Sequence, residues 1–313
     1  MSFVFNSRIE TVSIDNINLK DNNYKVSKPL SDDILKLSIQ TSGLLEPPIL
    51  LKKSNYYLVI FGHNRLQVLK ELNIRSLISY IIDELYVTDY VNSVLLKNFR
   101  NEIGIIGKIK FIWIIKNKFN LDENKIRIVA KNMKIPDDFL HYEIISRILA
   151  LPEDLKVYIE IRDIGFKVVK NILRLPEDAF KLLSQWAINL NMRVNIFKGI
   201  TENIFDIYKR DKNINEVIKL YIDSNGDKRK KEEALFKEIF KLRYPEYVKI
   251  RDKADHIIDR FKRNGIEIDF PEFHEKDEVG VTVKINKREN LQLFKNRFEQ
   301  IDFNSLRALL NLI

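Results

Sequence analysis

The feature that most limits the fold is a change of period between residues 56 and 72. The run "YYLVIF" is apolar throughout and stops at Gly62; the stretch "HNRLQVLKEL" then puts Leu66, Leu69 and Leu72 on one helical face. An apolar run rich in aromatic and β-branched residues reads as a buried strand, and the i, i+3 recurrence after it reads as an amphipathic helix. A strand passing directly into a helix implies an α/β unit. At the junction, a helix N-terminus leaves backbone N–H groups unpaired and partly positive. Glycine lets a ligand or a tight turn approach the backbone, and arginine can fork onto phosphate oxygens. Gly62, His63, Asn64 and Arg65 are therefore a candidate anion site, most naturally for a nucleotide phosphate. The competing possibility is a plain strand–helix turn whose Arg65 pairs with a local carboxylate. His63 is expected to line the site and to be a hydrogen-bonding surface residue rather than a general base.

The rest of residues 1–90 continues this α/β reading. "TVSIDNI" alternates like a short strand, Ser31 caps a helix "DDILKLSIQTS" with Asp32 and Asp33 in its first turn, and Gly43 stops it. Pro47 and Pro48 enforce an extended path into the strand "ILLK", and "SLISYII" is a further buried strand. From residue 91 the spacing is helical as far as 222, with Pro136, Pro152 and Pro176 at expected helix N1 positions. "DSNGDKRKKEE" reads as a linker or an exposed helix start. A long helix from Glu232 to Arg263, the strands "IEIDF" and "GVTVKI" and a helix from about Lys287 make a third section over 226–313. The expected fold class is α+β and mostly helical, with a small N-terminal α/β domain (1–90), a central all-α bundle (91–222) and a small C-terminal α+β domain (226–313).

Composition narrows the function. The chain has 313 residues and no cysteine, so disulfides and thiol catalysis are excluded and a reduced, cytoplasmic setting is expected. No apolar run reaches membrane-spanning length, no secretory pattern opens the chain, and no membrane partner is expected. The net charge is +9; residues 1–90 carry 10 basic and 10 acidic side chains, whereas 91–200 carry 19 and 12. The excess lies in the helical middle, where a basic face suits polyanion phosphates. Trp113 and Trp186 are expected in the core, and His256 and His274 on the surface. No metal-ligand motif, phosphate-binding P-loop or nucleophile elbow is present, so the catalytic residues are unknown and no metal site is expected.

The stretch from Asp32 to Ile82 resembles the N-terminal domain of the ParB family of DNA-partition proteins. Ser38-Ile39 and Gly43-Leu44-Leu45-Glu46-Pro47 match the family's "SI…GLLQP" block. Gly62-His63-Asn64-Arg65-Leu66-Gln67-Val68 matches its "GERRxRA" box, and "LLKNFRNE" falls where the family has "ENLQRE". The likeness spans about 15–180. It implies clamp-like DNA binding controlled by CTP or another nucleotide, a homodimer formed through the C-terminal end, a partition ATPase as partner, and a nucleoid-associated, cytoplasmic location. By position it implies nucleotide contacts at Gly43, Glu46, Gly62, His63, Asn64, Arg65, Lys97 and Asn98.

It also implies a helix-turn-helix in "IRIVAKNMKIPDDFLHYEIISRIL". Ala130 and Met133 take its packing positions, and Asp137 and Asp138 open the reading helix. Lys131, Lys134, His141, Tyr142, Arg147, Lys167 and Lys170 are the candidate DNA contacts. The chain departs from the family at several of these places. His63, Asn64 and Gln67 replace a glutamate and two arginines, and Glu46 replaces a glutamine. Lys134 stands where glycine is usual, and Lys97 where a glutamate helps hold magnesium. Lysine cannot ligate magnesium but can neutralise phosphate, which puts magnesium and hydrolysis in doubt. A weak nucleotide triphosphatase stays open. The alternatives are a ParB-like nuclease and a protein–protein adaptor that has lost both ligands.

Overall fold

The computed structural model describes residues 6–29, 32–220, 226–271, 277–284, 291–299 and 301–312. The chain forms two compact units, 1–235 and 236–313, so the sheet and the helical middle share one unit. Its α+β, mostly helical class is the one expected from the sequence.

In the first unit, β1 (Arg8–Ser13), β2 (Ile17–Asn18), β3 (Ile49–Lys52), β4 (Tyr57–Phe61) and β5 (Ser76–Ile82) make one sheet in the order β1-β5-β3-β4-β2. β3 and β4 form an antiparallel hairpin, β3 runs parallel to β5, and β1 closes the far edge antiparallel to β5. α1 (Asp32–Ser42) and α2 (His63–Glu71) cover one face. Their apolar stripes meet β3, β4 and β5 in a core containing Ile39, Leu50, Val59, Leu66, Leu69 and Ile81. Gly43 ends α1 with φ of 71°, as its position in the sequence requires. Ser31, the expected N-cap of α1, lies outside the described residues.

The helical part runs through α3 (Val87–Phe99), α4 (Ile105–Asn117), α5 (Glu123–Asn132), α6 (Tyr142–Leu149), α7 (Glu153–Ile161), α8 (Phe166–Leu173), α9 (Glu177–Asn189), α10 (Val194–Asp211), α11 (Asn215–Ile218) and the start of α12 (Lys228–Arg243). Tyr90 of α3 is fully buried and joins the sheet to the helices. Its ring packs against Phe61 of β4, Phe111 of α4, Tyr24 and Phe119, with centroids 5.6–5.8 Å apart. Pro136, Pro152 and Pro176 sit one residue earlier than N1, at the N-cap positions of a 3-10 turn, α7 and α9.

The stretch "EIGIIGKIKF" does not enter its helix at Glu102. α4 begins at Ile105 with Gly104 as its extended N-cap, and both Gly104 and Gly107 are approached closely from outside. A Cβ on Gly107 would lie 2.0 Å from the Val26 carbonyl oxygen, and one on Gly104 would lie 1.8 Å from Glu160 Oε2. Glu160, buried on α7, accepts the Gly107 N–H through Oε1 at 2.8 Å and also the Ile106 N–H. A carboxylate from one helix thus caps the N-terminus of another. Burial raises the Glu160 carboxyl above its ordinary value of 4.5, and the two backbone N–H groups only partly oppose this.

In the second unit the single long helix expected from Glu232 to Arg263 is interrupted. α12 stops at Arg243 and α13 (Pro245–Arg263) starts on proline. Pro245 has no N–H to continue the ladder and drives Tyr244 out of the α region, to φ −123° and ψ 59°. β6 (Ile266–Asp269) and β7 (Gly280–Val283) pair antiparallel, followed by α14 (Leu291–Glu299) and α15 (Phe303–Leu310). Lys287 and His274 lie outside the described residues, and His256 is exposed. The terminal leucines do not form a free tail: Leu309 is buried with Ala254 and Phe270, and Leu306 and Leu312 pack around them.

Removing the Glu160 cap leaves buried N–H groups unpaired, so Glu160→Ala is expected to cost about 1–3 kcal/mol in urea unfolding. A folded-state pKa above the unfolded one means that the folded chain takes up the extra proton. The protonated carboxyl's contribution is complete below the unfolded pKa and is lost as pH rises through the folded one. The stability of the wild type minus that of Glu160→Gln should therefore fall as pH rises from 4.5. A difference that is flat or rises over that range would contradict this account of Glu160.

Candidate functional site

At the end of β4 the chain turns through Gly62 into α2. Gly62 has φ of 102°, and a Cβ there would lie 2.7 Å from the Pro48 Cβ, so both conformation and space call for glycine. Its position supplies no side-chain cap to α2, and the first turn of α2 carries no acid. This helix end forms part of a cavity of about 470 Å³. A second wall is the strap Tyr24–Lys28, and a third is the end of α3 with the turn after it, which brings Lys97, Arg100 and Glu102.

Arg65 faces the cavity and is engaged. Its Nη1 donates to the Glu46 backbone carbonyl and lies 2.9 Å from Glu46 Oε2. The possibility that Arg65 pairs with a local carboxylate is thus the arrangement found. Lys97 donates to Glu102 Oε2 at 2.8 Å and lies 5.4 Å from the centroid of the Phe61 ring. Asn64 does not point at solvent. Its Nδ2 donates to the Lys28 carbonyl at 2.9 Å, which fastens the strap to the start of α2.

His63 corrects the expectation of a surface histidine. Its Nε2 is buried without a hydrogen-bond partner among the described residues. Burial, reinforced by the charges of Lys25 and Lys110, pushes its pKa down to about 3, against a smaller opposing effect of the Asp21 backbone. It is a neutral imidazole at physiological pH. It cannot serve as a cation for phosphate, and at that pKa it is a weak base.

Of the eight residues expected at the site, Glu46, Gly62, His63, Asn64, Arg65 and Lys97 line this cavity together. Gly43 and Asn98 are not among its lining residues; Gly43 ends α1, and the Asn98 carbonyl accepts the Asn101 N–H at 3.0 Å. Sequence reasoning missed Tyr24, Ser27, Lys28, Arg100 and Glu102. Arg100 and Glu102 stood within the matched "LLKNFRNE" block and could have been found there. The strap is brought in by long-range contacts and left no local signal. Among the described residues, no group of three or more His, Cys, Asp or Glu could hold a metal ion.

The candidate DNA side is built from α5, a turn and α6. Asp122 caps α5 by accepting the Lys125 N–H at 3.0 Å, and Ala130 and Met133 are buried as expected. Lys134 takes the left-handed conformation, φ 55°, that explains why glycine suits this place. Lys108 of α4 donates to the Met133 carbonyl at 2.9 Å and holds the turn. Asp137 and Asp138 do not open the second helix: they form a separate 3-10 turn, Asp137–Leu140, and α6 begins at Tyr142 with His141 as its N-cap. Lys131, Lys134, His141, Tyr142 and Lys167 are exposed. Arg147 is exposed too, and it donates to the Leu175 carbonyl at 3.1 Å and lies over the Phe180 ring. Lys170 is ion-paired with Asp138. Trp186 is buried, whereas Trp113 is half-buried rather than in the core.

No helix among the described residues is long and apolar enough to cross a membrane. No curated protein matches the chain. Two solved structures of the chromosome-partitioning protein ParB from Caulobacter crescentus, both C-terminally truncated, share a loose likeness with it. The one complexed to the centromeric parS site is 12% identical with a TM-score of 0.30, over 62% of this chain and 98% of that one. The one complexed with CTP-gamma-S is 14% identical with a TM-score of 0.26, over 58% and 99%. At these values neither complex supports an inference about ligands here. The family model of the ParB N-terminal domain matches residues 4–99, which include the sheet, the Gly62 turn and all of α3. The chain therefore carries a ParB N-terminal domain, continued by a mostly helical remainder.

Proposed function

We propose that the protein is a ParB-like DNA-binding protein of chromosome or plasmid partition, or a related regulator, and that its N-terminal domain responds to a nucleoside triphosphate. The observation that carries this reading is the Gly62–Arg65 turn, which joins a cavity flanked by Lys28, Lys97 and Arg100 inside a ParB N-terminal domain. The chemistry suits phosphate. Gly62 adds no side chain, the start of α2 presents partly positive N–H groups, and Arg65 offers a planar fork. Phe61 and Tyr24 add aromatic surface to the same cavity. CTP is the nucleotide that the family resemblance implies. Magnesium does not fit the residues present, because Lys97 stands at the expected ligand position and its neighbour Glu102 is taken up in pairing with it.

DNA would meet the helix-turn-helix of α5 and α6 through the exposed Lys131, Lys134, His141 and Tyr142, with Lys167 on α8, where its neighbour Phe166 packs on Phe139. A second copy of the chain, bound through the C-terminal unit, a partition ATPase and a nucleoid-associated, cytoplasmic location belong to the same proposal. The adaptor reading keeps one specific support: Arg65 and Lys97 already hold the carboxylates of Glu46 and Glu102. A ligand phosphate must displace them.

Calorimetry on the full chain decides between the two. A nucleoside triphosphate should bind, and Arg65→Ala should weaken it by about 1–3 kcal/mol, the loss of a charged hydrogen bond; no binding of any nucleotide to the wild type favours the adaptor. DNA affinity should fall steeply as salt is raised from low to physiological levels, because the contacts are to phosphates. Binding that is flat in salt would point away from a phosphate-dominated interface. Light scattering should give a dimer, supported by the exposed Phe298, Phe303 and Leu310 and the largely exposed strand β7. A monomer at tens of micromolar would remove the C-terminal pairing.

A further inference from the structure

The strap residue Lys28 has three separate attachments, and they lead in different directions. Its carbonyl accepts from Asn64 at the start of α2. Its N–H donates at 2.9 Å to the backbone carbonyl of Glu102, the residue whose side chain pairs with Lys97. Its ammonium leaves the cavity wall and pairs with Asp163, in the turn between α7 and α8. Asp163 is 71% exposed, whereas the Lys28 side chain is 20% exposed. A largely sheltered cation lining an anion-suited cavity is therefore held by a carboxylate that water already solvates well. The backbone of Lys28 is fixed at both its N–H and its carbonyl, so its four-carbon side chain can change partner while the strap stays in place.

The region around Asp163 is tied to the helix-turn-helix. Asp163 follows Glu160, which caps α4, and α4 carries the Lys108 that holds the Met133 carbonyl. Lys108 is pushed down first by burial and then by the charges of Lys134 and Lys28, so the strap's ammonium and the turn of the helix-turn-helix lie within electrostatic reach of one lysine. α8, which begins just after Asp163, bears the Lys170 paired to Asp138.

We propose that Lys28 is a further anion-binding residue of the Gly62–Arg65 cavity and that Asp163 competes with the bound phosphate for it, so that occupancy of the cavity is felt at the α7–α8 turn. The inference rests on the nucleotide reading above and adds a residue and a route that the family pattern does not contain. A phosphate that draws the ammonium inward frees Asp163. Removing the Asp163 charge should have the reverse effect and lend the ammonium to the ligand, because the two sites are linked by one free energy.

The test uses the full chain at low salt with inorganic tripolyphosphate and CTP as probes, titrated by calorimetry. Asp163→Asn, a change at an exposed position, should tighten both by about twofold to fivefold, the range of a partly exposed ion pair. Lys28→Met should weaken both by about tenfold or more, as for a lost charged hydrogen bond. The double variant should match Lys28→Met alone. Hydrogen exchange over residues 160–166 should change on adding tripolyphosphate to the wild type and stay constant in Lys28→Met. Asp163→Asn tightening binding equally in the Lys28→Met background would show a general charge effect and overturn the proposal. So would an Asp163→Asn variant that binds like the wild type. If the wild type binds and Arg65→Ala weakens it while Asp163→Asn changes nothing, the cavity reading stands and the Lys28 assignment falls. If the wild type binds neither probe, both fall together.

Discussion

The first unit is held in register by one buried carboxylate. Glu160 sits where the N-terminus of α4 would otherwise present unpaired N–H groups, and nothing larger than glycine fits at 104 or 107. The Val26 carbonyl lies against Gly107 at the same helix end, so the strap is seated on α4 before it reaches the cavity. Strap, α4 and α7 therefore share a single point of contact, and the walls of the cavity inherit their positions from it. A polar anchor of this kind adds little net stability compared with the apolar packing around Tyr90, but it admits only one arrangement. Apolar surfaces could slide; a carboxylate against two N–H groups cannot do so without losing both.

The cavity is electrostatically self-compensated, and this shapes what it can bind. Arg65 and Lys97 each hold a carboxylate, and Lys28 holds a third, that of Asp163 in the α7–α8 turn. A ligand must offer more negative charge than a single carboxylate, at spacing that meets more than one of these cations, to replace them. On the proposed reading a polyphosphate would meet this condition, since its several charged groups can reach more than one of these cations at once. His63, neutral at physiological pH, adds shape rather than charge.

Much of this was legible in the sequence where the cause was local. The passage from β4 through Gly62 into α2 follows from the change of period at a glycine, and α1 has the bounds its pattern suggested. Gly43 and the hairpin strands are likewise set by neighbours a few residues away. What was not legible depended on distant partners. Glu160 looks like a solvated acid in "YIEIR", because nothing nearby shows that Gly104 and Gly107 will close over it. Asn64 was expected at the site, but its bond to the Lys28 carbonyl links chain segments 36 residues apart and has no local signal. The break at Pro245 was a local signal that an apolar stripe concealed. The 3-10 turn at Asp137–Leu140 was hidden by a proline that reads as an ordinary helix start. Arg147 and Lys170 carry the right charge for DNA, and their contacts to the Leu175 carbonyl and Asp138 come from distant segments that no local pattern shows.

The span of the strap's contacts also has a meaning in time. Lys28 pairs with a residue 135 positions further along the chain. At synthesis rates of about 5–20 residues per second, that partner leaves the ribosome roughly 7–27 s after Lys28 does. When the β3–β4 hairpin and α2 have emerged they can form from their own sequence, but the strap then has no seat, since Gly107 and Glu160 are both still to come. The cavity is therefore assembled late, once the helical region that seats the strap has followed the sheet. A nascent chain stalled before residue 160 would hold a formed strand–Gly62–helix junction with one wall missing.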